Sequence, residues 1–241
     1  MIRIILIMGH FIIFLLSQLP WYFIYPAWDK KGLQDKRYDR ASKKIDKVFH
    51  TALVLSGAQI TVSGQENIPE NQAVLYVANH SSYCDIPVLY DAIPGGTGFI
   101  AKKEMEKIPL LAQWMKFLNS EFLDRKDIKQ GMQIIKNAAD TIKHGHSLVI
   151  FPEGTRSQDA HPHEFKEGSL RIASLAKAPI VPVAISGTAD MMENHHKFRI
   201  YPAAVHVTFG KPIYMNELPR SEKKHLGETI RQWIIATNDA L

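Results

Sequence analysis

The sequence predicts an α/β fold: a mixed, mostly parallel sheet flanked by helices, with a helical membrane anchor at the N-terminus. Three observations predict it. From Ile60 onward, short apolar runs alternate with segments of helical periodicity. Several of those runs stop abruptly in polar or charged residues, as buried strands do when they present a loop at the carboxyl edge of an open sheet. Residues 1–28 are strongly apolar, with Arg3 as their only formal charge. The expected division is an apolar and amphipathic membrane-anchoring motif over 1–58 and an α/β domain over 59–241.

The elements follow in order. Residues 4–16 are apolar except for Gly9 and His10, and the aromatic group Trp21, Tyr22, Phe23, Tyr25 and Trp28 comes next. Lys30, Lys31, Lys36, Arg37, Arg40 and further lysines follow. Apolar helix, aromatic belt, then cations is the order expected at a membrane interface with anionic headgroups. No small-residue cleavage site follows the apolar run, which argues against a signal peptide. Gln18 and Pro20 shorten it below the ~20 residues of a clean span, so an anchor embedded in one leaflet and a single spanning helix both remain open. Ile45, Val48, Phe49, Leu53, Val54 and Leu55 suggest an amphipathic helix returning along the membrane surface. In the body, strands are predicted at 73–78, 97–101, 120–123, 147–151, 180–185 and 204–209. Helices are predicted at 84–92, 105–118, 126–144, 167–177 and 221–238. Within 126–144, Ile128, Met132, Ile135, Ala139 and Ile142 recur at helical spacing, and Gly145 supplies the C-cap.

Charge restricts the partners. Residues 1–47 carry nine Lys/Arg against four Asp/Glu, whereas 48–241 carry 20 of each. The net +5 therefore belongs to the N-terminal end, and the neutral body lacks the basic stripe of a nucleic-acid reader. A hydrophobic content of 46% supports a substantial core, and a lone cysteine excludes a disulfide framework or a cysteine-rich zinc site. The histidine pairs His144/His146, His161/His163 and His195/His196 lack helical HxxxH spacing or a cysteine pair, so they read as loop or surface residues and no metal is expected.

Two polar clusters carry chemistry. The first, NHSSYCD at 79–85, follows the strand 73–78. His80 and Asp85 are five residues apart, which on one continuous helix would place them on different faces. They meet only if His80 precedes the helix and Asp85 lies in its first turn, where the helix dipole also favours a carboxylate. The carboxylate then fixes the imidazole tautomer and leaves the other ring nitrogen as a base. The competing explanation is helix capping by Asn79, Ser81 or Ser82. The second cluster, FPEGTRS at 151–157, follows the strand 147–151. Gly154 admits close backbone approach, Thr155 and Ser157 add hydroxyls, and Arg156 offers a planar fork for phosphate or carboxylate that Glu153 is expected to orient. Phe122, Leu123, Asp124 and Arg125 end another strand in a cation, and Lys102 and Lys103 end a third. Together these strand ends describe an anion-binding cleft that contains a base.

The chain resembles the glycerolipid acyltransferases, specifically the bacterial 1-acyl-glycerol-3-phosphate acyltransferases. The resemblance rests on an NHxSxxD block at 79–85, FLDR at 122–125, FPEGTRS at 151–157, FKEGS at 165–169 and IVPVAI at 180–185, in family order over about residues 60–212. Cys84 is the departure, at a variable position of the first block. The resemblance implies transfer of a fatty acyl group from acyl-CoA or acyl-ACP to the sn-2 hydroxyl of lysophosphatidic acid at the cytoplasmic face of a membrane, with no bound cofactor. His80 would be the base and Asp85 its orienting partner. Lys102, Arg125, Glu153, Gly154, Thr155 and Arg156 would bind substrate, with amides near Gly154 facing the oxyanion. The alternatives are another lysolipid acceptor, a lipid hydrolase or thioesterase using the same pair, and a lipid-binding protein without turnover.

Overall fold

Proline and glycine positions explain where this chain changes course. The computed structural model describes residues 2–124, 127–157, 161–195 and 199–241. Helix α1 (Ile2–Ser17) is followed at once by α2 (Trp21–Asp29), and the two meet at a 56° bend. Pro20 stands at the break, where it has no N–H to continue the helical ladder. Helix α3 (Gln34–Ser56) ends on Gly57 in the left-handed conformation. The body runs β1 (Gln59–Ser63), β2 (Leu75–Ala78), α4 (Asp85–Ala92), β3 (Gly98–Lys102), α5 (Pro109–Phe117), β4 (Glu121–Leu123), α6 (Ile128–Lys143) and β5 (Leu148–Ile150). It continues with α7 (Arg171–Ala176), β6 (Ile180–Ser186), β7 (Ala204–Phe209), α8 (Arg220–Lys223) and α9 (Leu226–Asp239).

The strands form one seven-stranded sheet in the order β1-β7-β6-β2-β5-β3-β4. All neighbouring pairs are parallel except β6 and β7. Thus β2 through β6 share one direction and present their carboxyl ends along one edge, while β7 and β1 run the other way. This is the mixed, mostly parallel α/β sheet expected from the alternation of runs. The central strands are buried on both faces and alternate between two cores. Tyr76, Ala78, Val149, Val181 and Val183 face α1–α5, whereas Leu75, Val77, Leu148, Ile150 and Ile180 face α6, α7 and α9.

Several boundaries differ from expectation. The strand Gln59–Ser63 was not among the predicted ones; it pairs in register with β7 as an edge strand whose burial alternates. The helix expected at 105–118 divides into a 3-10 turn, Lys103–Lys107, and α5, because Ile108 precedes a proline and is held extended. The segment 167–177 likewise opens as a 3-10 turn, Glu167–Leu170, and 221–238 divides into α8 and α9. The apolar face of α3 is turned inward: Ile45, Val48 and Leu53 are buried in the core that the sheet shares, and α3 packs on α4. Each such side chain contributes roughly 1.5–3 kcal/mol of gross burial energy, enough to fasten α3 to the body. Val54 alone of that series is well exposed. Arg37, almost fully buried, donates to Asp29, to the Lys116 and Phe117 carbonyls and to Asn119, and so ties α2 and α3 to the end of α5.

Candidate active site

The site lies where β2 and β5, adjacent and parallel, end together. After β2, Asn79 clamps the loop to β6: its amide donates to the Ile185 carbonyl and accepts from the Ile185 N–H, both at 2.9 Å. His80 then precedes α4, and Asp85 is the first residue of that helix, as the five-residue spacing requires. His80 Nδ1 lies 2.8 Å from Asp85 Oδ2. The same oxygen accepts the Ser81 and Ser82 N–H groups at 2.8 and 2.9 Å, and Thr188 Oγ1 donates to Oδ1 at 2.5 Å. Asp85 is fully buried, while 17% of the His80 side chain is exposed. Hydrogen bonds to a charged group contribute about 1.5–3 kcal/mol each, and four of them offset the several kcal/mol cost of burying a carboxylate. The N-cap residue Cys84 makes no side-chain cap on α4, and Ser82 Oγ accepts the Cys84 N–H at 2.9 Å, so a local bond at the helix entry stands beside the His80–Asp85 pair and does not replace it.

The imidazole is held on a second side. Phe151, just past β5, stacks flat on it, with ring centroids 4.1 Å apart and 15° between planes. Among the described residues nothing hydrogen-bonds His80 Nε2, so an oriented ring presents one free nitrogen to the partly open side. The second cluster also supports His80 from below. Glu153, buried, accepts the His80 N–H at 2.7 Å and the His163 N–H at 2.8 Å, and the Ser157 N–H donates to the His80 carbonyl at 2.8 Å. Burial raises the Glu153 carboxyl above its ordinary range, and those two N–H bonds oppose the rise.

Glu153 therefore holds the two loops together instead of orienting Arg156. The ion-pair partner of Arg156 is Glu193, 2.9 Å away, and the guanidinium carbon sits 3.6 Å over the Tyr83 ring. Gly154 has φ of +79°, and its N–H bonds the Phe151 carbonyl, which removes it as an oxyanion donor. Thr155 is exposed beside it. Lys102 ends β3 with its ammonium 3.3 Å from Glu104, largely exposed, and among the described residues makes no hydrogen bond or ion pair to another site residue. Arg125 lies outside the described residues. Cys84 is buried, and burial pushes its thiol up to about 11. Thr188 and Glu193 are the functional side chains that sequence reasoning missed. They lie in the connection after β6, which turns through Gly187 at φ of +81°, where a Cβ would fall 2.0 Å from the Ala204 carbonyl oxygen.

Residues 59–186, from β1 to the end of β6, match the family model described as Acyltransferase. The chain belongs to the acyltransferase family. The matched span holds His80, Asp85, the 151–157 loop and every strand except β7. Among curated relatives of this acyltransferase, the 1-acyl-sn-glycerol-3-phosphate acyltransferase of Cocos nucifera is 35% identical over 175 residues, covering 72% of this chain and 56% of the relative. The chain thus spans little more than half the length of that relative. The probable 1-acyl-sn-glycerol-3-phosphate acyltransferase of Mycoplasma pneumoniae is 31% identical over 204 residues, covering 83% of this chain and 74% of the relative. The crystal structure of the 1-acyl-sn-glycerophosphate (LPA) acyltransferase PlsC from Thermotoga maritima superposes with a TM-score of 0.70 at 29% identity, over 95% of this chain and 97% of that one.

Proposed function

We propose that this acyltransferase moves a fatty acyl group from an acyl thioester, acyl-CoA or acyl-ACP, to the sn-2 hydroxyl of lysophosphatidic acid, giving phosphatidic acid. The observation that carries the reading is the His80–Asp85 pair, with Asp85 fixed by four donors and His80 Nε2 without a hydrogen-bond partner among the described residues. Nε2 takes the proton of the acceptor hydroxyl while that oxygen attacks the thioester carbonyl. Asp85 stabilises the imidazolium that results. As the tetrahedral intermediate collapses, the C–S bond breaks and the proton passes from Nε2 to the departing thiolate. The acceptor hydroxyl is itself the nucleophile, so no acyl-enzyme intervenes and no resident cofactor enters. The raised Cys84 thiol supports that choice over a cysteine nucleophile. Arg156 grips the glycerol phosphate, Lys102 adds positive charge at the end of β3, and Arg125 is assigned to the same substrate by its place in the FLDR sequence block.

The acceptor comes from a membrane, at its cytoplasmic face. Two surfaces support attachment there. On α1 and α2, Ile2, Ile5, Ile12, Ile13, Leu16 and Phe23 stand exposed. On α3, Lys36, Arg40, Lys43, Lys44 and Lys47 line one basic groove together with Asp39, which pairs with Lys43 at 2.8 Å; the Arg40 guanidinium lies 4.1 Å over Trp21 and Lys36 4.7 Å over Trp28. Among the described residues no single helix is long and apolar enough to cross a membrane, while α1 and α2 together pass that test as a bent pair. An apolar face beside a cationic one suits an anchor seated in one leaflet against anionic headgroups.

Purified protein given oleoyl-CoA or oleoyl-ACP with lysophosphatidic acid, lysophosphatidylcholine or no acceptor tests the reading. Phosphatidic acid formed only with lysophosphatidic acid is expected. Free fatty acid released at the same rate without acceptor would make the protein a thioesterase, and binding without product would make it a lipid carrier.

A further inference from the structure

We propose that Glu193 is a positioning residue for the acceptor phosphate, acting through Arg156; the inference rests on the phosphate role given to Arg156 above. Glu193 lies in the β6–β7 connection, beyond the end of the family match at residue 186. Its carboxylate, only 18% exposed, gathers three donors from two loops. Oε1 accepts the Tyr83 N–H and Arg156 Nη1, both at 2.9 Å, and Oε2 accepts the Ser82 hydroxyl at 2.6 Å. Ser82 Oγ in turn accepts the Cys84 N–H, and the Ser82 N–H is one of the donors on Asp85. One carboxylate therefore joins the loop that carries the base to the loop that carries the cation.

The consequence for Arg156 is geometric. Glu193 occupies Nη1 and the Tyr83 ring covers one face of the guanidinium at 3.6 Å. Among the described residues no partner takes Nε or Nη2. That edge carries two parallel N–H donors, the pattern that grips a phosphate through two oxygens. An arginine on a free side chain would have to be ordered by the ligand, at a cost in affinity. Here the carboxylate and the ring have already fixed the plane, and the edge they leave open is the bidentate one. Glu193 touches no reacting atom, so its removal should weaken acceptor binding and leave chemistry in place.

The test is a kinetic cycle of wild type, Glu193→Gln, Arg156→Ala and the double variant, with lysophosphatidic acid varied at saturating acyl donor. Glutamine is nearly isosteric and keeps bonds to the loop, but it loses the charge that holds Nη1. The expected result is an acceptor KM raised about tenfold in Glu193→Gln with kcat within about twofold. Added to Arg156→Ala, the same change should alter KM by less than about twofold, because the positioned group is already gone. Should Glu193→Gln fail to fold, Tyr83→Leu carries the test: it removes the ring and keeps the backbone bond, and a several-fold rise in KM at unchanged kcat is expected. Raised KM in Arg156→Ala with unchanged KM in Glu193→Gln would overturn this inference alone. Additive effects in the double variant, or a fall in kcat without a change in KM, would overturn it too. Unchanged KM in Arg156→Ala would overturn the phosphate reading beneath it.

Discussion

Replacing Asp85 by asparagine separates what the carboxylate does as an orienting group from what it does as a charge. Among the described residues, Oδ2 receives three donors, His80 Nδ1, Ser81 N and Ser82 N, whereas Oδ1 receives only the Thr188 hydroxyl. An amide NH₂ cannot occupy the first position, because it would face two fixed backbone N–H groups. It can occupy the second, since the Thr188 hydroxyl is able to accept from it and to turn its own proton toward Ser81 Oγ, 3.1 Å away. The asparagine oxygen therefore stays opposite His80 Nδ1, and the ring keeps its tautomer. What disappears is the charge that stabilises the imidazolium. A hydrogen bond to a charged acceptor contributes about 1.5–3 kcal/mol against about 0.5–1.5 for a neutral one, a difference of roughly 1–1.5 kcal/mol or about 5- to 12-fold in kcat, with acceptor KM little changed. Steady-state acylation of lysophosphatidic acid at saturating donor measures it. A loss below about threefold would refute the role of the charge, and a loss of about 10⁴-fold, the scale expected of a wrong tautomer, would refute the amide orientation argued from the loop.

Other expectations concern stability, the thiol and the membrane. Asp46 on α3 is pushed up to about 6, first by burial and then by Asp91, which His50 pairs at 2.8 Å. The folded protein then holds the Asp46 proton more tightly than the unfolded chain, so this contribution is favourable below about pH 4 and is lost as pH rises to about 6. Discounted for partial exposure, the ionised form costs roughly 1 kcal/mol, so Asp46→Asn should raise Tm by about 2–4 °C at pH 8 and leave it unchanged at pH 4 in calorimetry. Equal shifts at both pH values would count against it. Cys84 should react with iodoacetamide at pH 8 only after unfolding, and Cys84→Ala should keep kcat within about twofold; a dead Cys84→Ala enzyme that remains folded would restore the cysteine nucleophile. The double change Lys36→Gln, Lys47→Gln should weaken sedimentation with anionic vesicles roughly 30-fold, at about 1 kcal/mol per charge, and leave zwitterionic vesicles unaffected. Unchanged partition would sever the basic groove from membrane binding.

The sheet was legible because its central strands are continuous apolar runs, and the first-turn position of Asp85 followed from the angular period of a helix. The edge strand Gln59–Ser63 escaped because it is short and half polar, and its pairing with β7 joins residues about 145 positions apart. The reversal of β7 against β6 leaves no mark in either strand's composition. The inward face of α3 reads equally well as a membrane face, since periodicity reveals an apolar stripe and not what covers it. In the site, His80, Asp85 and the 151–157 loop stood out because each follows a buried strand. Glu193, and not the expected Glu153, partners Arg156 for a physical reason. A carboxylate three residues from an arginine is near in sequence, but the turn through Gly154 aims Glu153 at backbone N–H groups, and Arg156 finds its partner 37 residues on. Thr188 and Glu193 sit in a connection with no motif, and only the fold brings them to the site.

The central claim is that His80 is the base for the acceptor hydroxyl. His80→Ala, checked for native circular dichroism and Tm, should lower kcat for lysophosphatidic acid by at least about 100-fold, the smallest share expected of a positioned general base. A folded His80→Ala protein that forms phosphatidic acid at near wild-type rate would contradict it.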